Sequence, residues 1–312
     1  SSVASALGWD CTKQSTSSRE GESEQEMTEI SGHTGLVPLL GSPVEHSLSP
    51  AIHNESFKRL GIDAVYLVAD VTTDTLAEAI AGARALGFRG LNITMPCKTA
   101  VLQYLDGLSP AAELMGAVNT IACQDGKMIG HNTDGAGLMR SITEAGFDVV
   151  GQKITVIGAG GAGSAAFTQA ALDGVAEISV FNFRDEFFES TAERVAALSE
   201  KTGATISLFD LSDKEKLAKE VSESLVIIDA TRVGMAPLDD VSNVDKEWLH
   251  PGQAVVDTVY HPLETKLLKL AKEAGATPID GLGMLLWQAA IAEEIWFAKE
   301  MPVEEIRKVV FS

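Results

Sequence analysis

Cysteine is scarce in this chain. Cys11, Cys97 and Cys123 are its only thiols, and none stands at a spacing that pairs or binds a metal. The expectation is therefore free thiols in a reducing, cytoplasmic compartment rather than a disulfide framework. Six histidines are present, but no pair recurs at a ligand spacing such as H-x3-H or H-E-x-x-H, so no metal is expected. Basic residues are also short, with 24 Lys and Arg against 44 Asp and Glu for a net charge of -20. That balance argues against a nucleic-acid backbone as partner, while leaving room for a locally basic site that takes a small anion. No apolar run approaches the ~20 residues of a bilayer span. No basic start followed by an apolar stretch marks a secretory signal, and no repeat of solenoid period is visible.

What is present is enough apolar material, 45% of 312 residues, for one large domain or two ordinary ones. The first 32 residues stand apart. "CTKQSTSSREGESEQEMTE" is polar, acidic and nearly free of large apolar side chains, so it is expected to stay disordered. Met27 is a possible natural start, with the residues before it an extension.

From Gly35 onward, short apolar runs alternate with helix-length segments. "GLVPLLG" (35–41), "AVYLVADV" (64–71) and "FRGLNIT" (88–94) read as strands, and 49–61 and 75–87 as the helices between them. This βαβαβ order predicts a mostly parallel, layered α/β sheet. A second unit is expected to start near Lys127. It holds a helix over 139–149, a strand-turn-helix over 153–174, and strands at 177–183, 207–211, 225–231 and 253–260. The end of the chain, 283–311, reads as helix interrupted at Pro302, with Trp287 and Trp296 in its core. The expected architecture is two α/β domains with a cleft between them.

Gly158, Gly160 and Gly163 form G-x-G-x-x-G, following an apolar strand and opening an Ala-rich helix. In that setting the first glycine permits the tight turn and the second lets the backbone approach a pyrophosphate. The third lets helix pack on strand, and the helix N-terminus offers unpaired N–H groups. A tight turn without ligand is the plain alternative. The next strand runs into "NFRDE" (182–186), where a dinucleotide's adenosine ribose lies. A carboxylate there, Asp185, accepts bonds from ribose hydroxyls and repels a 2′-phosphate, and Phe183 offers a phosphate no charge. Arg184 pulls the other way, since a guanidinium pairs with phosphate or stacks on adenine. The reading leans to NAD and leaves NADP open.

"LNITMPCK" (91–98) ends a strand with Asn92, Thr94, Pro96 and Lys98, at the sheet edge that borders a ligand crevice. "GAVNT" (116–120) and "GHNTDGAG" (130–137) bring Asn119, Asn132 and Asp134 among small residues, and "HSLSP" (46–50) adds Ser47 and Ser49. Together they suit one small, hydroxyl-rich molecule, although either serine also suits a helix cap. His46, His53 and His131 fall in the same segments and are expected to be structural or polar lining.

Taken together, S-x-S-P-x-x-H-N, N-x-T-x-P-x-K, G-A-x-N-T, N-T-D-G and G-M-L-x-x-Q resemble the shikimate dehydrogenase family across about 35–312. "FNFRDEFFE", "VGMAPL", "VYHPLETKLL" and "DGLGMLLWQ" are similar to its quinate/shikimate branch, which accepts NAD and in some members NADP. The NADP-dependent biosynthetic branch usually places an arginine where this chain has Phe183. The resemblance implies a substrate-binding domain over 33–128, completed by helices 281–312, and a Rossmann-type NAD(P)-binding domain over 129–280. It implies that Ser47 and Ser49, with Tyr260 nearby, hold the substrate carboxylate, and that Asn92, Thr94, Lys98, Asn119, Asp134 and Gln288 line the ring. On the cofactor side it implies Gly158, Ala159, Gly160, Gly161, Ala162 and Gly163 around the pyrophosphate, Asn182, Phe183, Arg184 and Asp185 at the adenosine, and Arg232 as a basic contact. Thr258, Val259, Tyr260, His261 and Gly281 fall on the nicotinamide side. A homodimer is implied as well.

The implied reaction is reversible hydride transfer between a ring secondary alcohol and nicotinamide, taking shikimate to 3-dehydroshikimate, or quinate to 3-dehydroquinate. Lys98 and Asp134 are the expected catalytic pair, with a lysine ammonium suited to act as the acid when the ketone is reduced. Shikimate against quinate stays open at this point, with Thr94 a candidate tuner. Non-catalytic nucleotide sensing and a structural interaction module stand as rival classes. The first calls for loss of Lys98 or Asp134, and both are present.

Overall fold

Short apolar runs bounded by turn formers build two sheets in the computed structural model, which describes residues 30–312. Cys11, Met27 and the polar stretch up to residue 29 lie outside the described residues. Strand β1 (Gly35–Gly41), helix α1 (Ser49–Leu60), strand β2 (Ala64–Asp70), helix α2 (Leu76–Ala85) and strand β3 (Gly90–Ile93) follow the expected βαβαβ order. Pro50 opens α1, where a fixed φ and a missing N–H cost nothing. Gly61, in the left-handed conformation, closes it. Leu76, Ile80 and Ala83 recur at helical spacing on α2 and are buried against the sheet.

Helix α3 (Cys97–Ala100), strand β4 (Gly107–Leu108), helix α4 (Pro110–Met115) and strands β5 (Thr120–Gln124) and β6 (Lys127–His131) complete this part. The sheet order is β2-β1-β3-β5-β6-β4. Strand β1 runs parallel to β2 and β3, whereas β5 is antiparallel to both β3 and β6. The sheet is thus mostly parallel, as expected, with β5 as its one antiparallel strand. The cause is local: Asp125 and Gly126 both have positive φ, 51° and 74°, as a two-residue hairpin turn matched to strand twist requires. Strand β6 pairs with β5 and β4, so the first sheet runs through His131.

Helix α5 (Asp134–Glu144) begins five residues earlier than the expected helix and ends before Gly146. Then come β7 (Lys153–Ile157), α6 (Gly161–Leu172), β8 (Glu177–Asn182), α7 (Phe188–Thr202), β9 (Thr205–Asp210) and α8 (Lys214–Glu223). Strands β10 (Val226–Asp229), β11 (Ala254–Asp257) and β12 (Thr277–Ile279) follow, with α9 (Lys266–Glu273) between the last two. The order β12-β11-β10-β7-β8-β9 is parallel throughout. This is a doubly wound sheet, with its order reversing between β7 and β10, where such folds open a ligand crevice. Helices cover both faces, so β10 and β11 are buried at every residue, each three apolar residues ending on a buried aspartate.

The last helices, α10 (Gly281–Phe297) and α11 (Val303–Val310), return to the first domain. Leu286, Ala289 and Ala290 of α10 share a core with Ile52 of α1 and Ile306 of α11. The indole of Trp296 donates to the Ile121 carbonyl at 3.0 Å. Trp287 is half-buried, its ring 5.0 Å from the Arg140 guanidinium. Helix α5 lies between α6 and α10 and touches both through glycines: a Cβ at Gly135 would meet the Ala165 carbonyl, and one at Gly137 the Gln288 backbone. Among the described residues, no helix is long and apolar enough to cross a membrane.

Candidate active site

Lys98 sits on α3, immediately after β3, and its backbone carbonyl accepts from Val118 N at 2.9 Å. Its ammonium Nζ donates to Asp134 Oδ2 at 2.5 Å. Asp134 is the first residue of α5, where the positive end of the helix dipole favours a carboxylate. Its other oxygen, Oδ1, accepts from Asn119 Nδ2 at 3.0 Å, and its backbone N–H donates to Asn132 Oδ1 at 3.1 Å. Asn119 is fixed in turn, its Oδ1 accepting from Thr133 N at 2.8 Å. The side chains of Lys98 and Asp134 remain partly open, at 26% and 18% exposure, so both can be reached by a small molecule.

These groups form one wall of a cavity of about 420 Å³. Ser47, Ser49, Asn92, Thr94, Lys98, Asn119, Asp134, Tyr260 and Gln288 all line it, together with Thr258 and Gly281. The structure therefore brings the expected substrate residues to one place, Asn132 excepted. Asn92 differs in what it does there. Its amide gives both hydrogens to protein acceptors, the Asn119 carbonyl and Thr120 Oγ1, each at 3.0 Å. Its oxygen accepts from the Tyr66 hydroxyl at 2.8 Å, so it braces Asn119. Ser47 Oγ accepts from Ser49 N at 3.2 Å while facing the cavity.

Behind this wall lies a buried polar cluster. Tyr66 stacks on His53 with ring centroids 4.4 Å apart, and burial pushes the Tyr66 phenol well above its ordinary pKa. His53 Nδ1 lies 2.7 Å from Glu293 Oε1 on α10, and Ser56 Oγ donates to Glu293 Oε2 at 2.6 Å. Helix α10 thereby helps hold the substrate wall. His53 is structural, as expected, while His46 lines the cavity. His131, at the end of β6, is held below its ordinary pKa by burial.

A second cavity, of about 500 Å³, opens on the other side of α3 and α5, lined by Thr99, Asn132, Ala159, Gly160, Gly161 and Ser164 among others. Adjacent residues serve the two spaces, Lys98 and Asp134 the first, Thr99 and Asn132 the second. Asn132, expected at the substrate, faces the second cavity. The glycine turn here fits a dinucleotide. A Cβ at Gly163 would come within 1.9 Å of the Gly158 carbonyl, so only glycine lets helix meet strand. Positions 160 and 161 have nothing within 4 Å and lie open. Gly158 turns at φ +93°, a conformation that favours glycine. Asn182 fastens the turn, accepting from Ala159 N at 3.2 Å.

The remaining expected cofactor residues lie outside both cavities. Gly158, Ala162 and Gly163 shape the turn from within. Phe183 is 58% exposed at the end of β8. Arg184 lies 3.4 Å from Asp210 and 3.9 Å from Glu189, its guanidinium over the Phe188 ring at 4.6 Å. Asp185 accepts from Phe187 N at 3.0 Å. Arg232 and His261 are exposed, and Val259 is buried with its N–H donating to Asp257. The sequence reading missed Arg194, Ser164, Thr99 and Phe187 in the second cavity, and Leu39, Pro43, Val44, Met284 and Leu285 in the first. Most carry no chemical signature. Arg194 did have one, a cation beside the buried face of α7 that holds Thr191, Val195 and Leu198.

A doubly wound nucleotide-type domain, facing a polar pocket that holds a lysine–aspartate pair, defines a two-domain α/β oxidoreductase acting on a CH–OH group. A model described as "Shikimate dehydrogenase substrate binding domain" matches residues 39–121, and one described as "Shikimate 5'-dehydrogenase C-terminal domain" matches 281–311. A protein of Listeria monocytogenes named shikimate dehydrogenase (NADP(+)) is 48% identical over 283 residues, covering 90% of this chain and 97% of the relative. The chain belongs to the shikimate dehydrogenase family. A solved shikimate 5-dehydrogenase from Listeria monocytogenes, in complex with shikimate and NAD, superposes with a TM-score of 0.89 at 48% identity, covering 91% of this chain and 99% of that one. A quinate dehydrogenase from Corynebacterium glutamicum in complex with NAD does so at 0.78 and 30% identity, covering 89% and 98%.

Proposed function

We propose that this chain is an NAD-preferring shikimate dehydrogenase of the quinate/shikimate branch. It oxidises the C3 hydroxyl of shikimate to the ketone of 3-dehydroshikimate, reversibly. The observation that carries this reading is the Lys98–Asp134–Asn119 constellation at the wall of a polar, hydroxyl-lined pocket. The same intact pair counts against a non-catalytic nucleotide sensor. The substrate-binding part comprises 33–131 with 281–312, and the nucleotide-binding part the chain between.

In this reading Ser47, Ser49 and Tyr260 hold the substrate carboxylate, and Thr94, Asn119 and Gln288 accept and donate bonds around the ring. When the alcohol is oxidised, its carbon loses a hydride and its oxygen a proton, which the Lys98–Asp134 pair takes up. A nicotinamide nucleotide held along the glycine turn would supply the hydride acceptor. In the reducing direction Lys98 donates a proton to the carbonyl oxygen as the carbon gains its hydride. Asp134 keeps the ammonium aimed and neutralises it, and Asn119 keeps Asp134 from turning away. Thr258 and Tyr260 bring the nucleotide domain to the mouth of the pocket, so reacting atoms meet away from bulk water.

The cofactor preference is read from the end of β8. Phe183 carries no charge. Arg184 is already engaged by Asp210 and stacked on Phe188. Asp185, Glu186, Glu189 and Asp210 outnumber it, so the field there opposes a 2′-phosphate. NADP use, as the Listeria relative's name states for that protein, calls for Arg184 to leave its acids. A cytoplasmic location fits the free thiols of Cys97 and Cys123. The homodimer implied by the branch is read by sedimentation equilibrium.

The test follows nicotinamide reduction in four mixtures, shikimate or quinate with NAD or NADP. Shikimate with NAD is expected to turn over fastest. Faster turnover with NADP overturns the reading of the β8 end, and faster turnover with quinate overturns the substrate assignment. Activity in none of the four removes the proposed reaction.

A further inference from the structure

Arg194 lies on α7 (Phe188–Thr202), and its guanidinium enters the second cavity beside the glycine turn. Its Nη2 donates to Ser164 Oγ at 2.8 Å, in the first turn of α6, and approaches the Ala159 carbonyl at 3.5 Å. The guanidinium carbon sits 5.7 Å from the centroid of the Phe167 ring. The Nε is buried and has no hydrogen-bond partner. No salt bridge reaches Arg194 among the described residues, whereas Lys153, Arg184 and Lys216 each have an acid within reach. Arg194 is also the only charged side chain among the residues lining this cavity.

A guanidinium stays charged and presents five N–H donors in a rigid fork. Burial works against that charge here. A half-buried cation without an acid, with an orphaned donor, in a chain carrying an excess of carboxylates, has the makings of an anion ligand. The glycine turn opposite it supplies backbone N–H groups at the start of α6 and open space over Gly160 and Gly161.

We infer that Arg194 is a phosphate ligand of the nucleotide site, closing over the dinucleotide pyrophosphate from α7 while the glycine turn holds it from α6. This rests on reading that turn as a dinucleotide cradle, and it adds a residue that the fingerprint G-x-G-x-x-G does not contain. The arginine is anchored on the first turn of α6 through Ser164, not at the exposed end of β8 where a 2′-phosphate would fall. It therefore serves NAD and NADP alike and contributes affinity without choosing between them.

The experiment is calorimetric titration of the whole protein with ADP-ribose, NADH, NADPH and adenosine, for wild type, Arg194→Met and Arg194→Lys. Methionine keeps most of the packing on Phe167, and circular dichroism with a thermal midpoint verifies folding. Arg194→Met is expected to weaken ADP-ribose, NADH and NADPH together by roughly 10- to 100-fold. Adenosine, which lacks phosphate, is expected to bind all three proteins equally. Lysine is expected to recover part of the loss, and the dependence of affinity on salt to become shallower in the methionine variant. ADP-ribose affinity within twofold of wild type in Arg194→Met overturns the assignment, and so does a loss confined to NADPH. If Arg194→Met fails to fold, full affinity in Arg194→Lys with unchanged salt dependence overturns it equally. Wild-type protein that binds none of the three nucleotides removes the dinucleotide reading itself, a result distinct from loss of Arg194's role.

Discussion

Gly137 of α5 lies so close to Gln288 of α10 that a Cβ at position 137 would fall 2.4 Å from the Gln288 backbone nitrogen and 2.8 Å from its Cα. Both neighbours are backbone, so nothing flexible yields. The two helices approach here as only glycine allows, and each carries a cavity residue: α5 starts on Asp134, and Gln288 is itself in the lining. Gly137→Ala is therefore expected to cost about 1–3 kcal/mol of stability through overpacking, seen as a thermal midpoint lower by several degrees. It is also expected to reduce turnover while leaving ADP-ribose affinity intact, because the glycine turn lies on α6. A variant with wild-type midpoint and wild-type turnover removes this contact from the design of the site.

Lys98 and Asp134 come from different elements and meet at 2.5 Å. A lysine acting as proton donor contributes in the transition state more than in the ground state, so its removal falls on turnover. Lys98→Met and Asp134→Asn are each expected to lower kcat by about 10²- to 10⁴-fold, with substrate dissociation constants moving less than tenfold. Normal kcat with weakened binding in Lys98→Met assigns the lysine to binding alone and sinks the proton-transfer role.

Much of this site was legible because its residues travel in short segments with a mechanism attached. A glycine turn between strand and helix, a lysine fixed just past Pro96 at a strand end, and hydroxyls before α1 each point to a place in an α/β fold before any coordinates. Elements anchored by strong apolar runs, β1 and β8 among them, ended within one residue of their expected limits. What the sequence hid was long-range. That Asn92 spends its amide on Asn119 and Thr120, or that Glu293 braces His53 across 240 positions, depends on how distant segments pack. The β5–β6 hairpin is another case: its Asp125–Gly126 turn signal stands in the sequence, but the short strands around it were overshadowed by the helical pattern after them. Arg194 shows the limit of motif reading, since a lone arginine on a helix reads as surface until the neighbouring helix places a buried cavity beside it.

The end of β8 carries the cofactor choice. Replacing Phe183 by arginine sets a cation on an exposed strand end, free of the contacts that hold Arg184 to Asp210 and Phe188. Phe183→Arg is expected to raise kcat/KM with NADP relative to NAD by roughly tenfold or more, the scale of one charge-assisted contact to phosphate. Combining it with Asp185→Ser, which removes a repelling carboxylate, is expected to extend the shift. An unchanged ratio in both variants puts the adenosine end of the nucleotide elsewhere.

Asp257, at the end of β11, sits one strand over from Asp229, and both carboxyls are buried. Burial pushes Asp257 up to about 6, against bonds donated by Thr265 Oγ1 at 2.6 Å and Val259 N at 2.9 Å, with the neighbouring Asp229 raising it further. Asp229, held by Thr231 and Asn243, is likewise pushed up by burial. In the unfolded chain Asp257 titrates near 3.9. Between about pH 4 and 6 the folded protein thus binds more protons than the unfolded one, and this group's contribution to stability falls as pH rises through that window. Above pH 6 the whole cost of a buried carboxylate is present, on the order of 2–3 kcal/mol for a shift of this size. Glu220 runs the opposite way: burial raises it, but Lys153, Lys216 and Ser179 outweigh that and hold it at about 2, so its stabilising contribution is complete above about pH 4.3 and is lost as pH falls from there toward 2. Comparing wild type with Asp257→Asn across pH cancels Glu220. The variant is expected to match wild type near pH 4 and to gain several degrees in thermal midpoint by pH 8. A difference that stays constant from pH 4 to 8 shows that Asp257 does not titrate in that window in the folded protein.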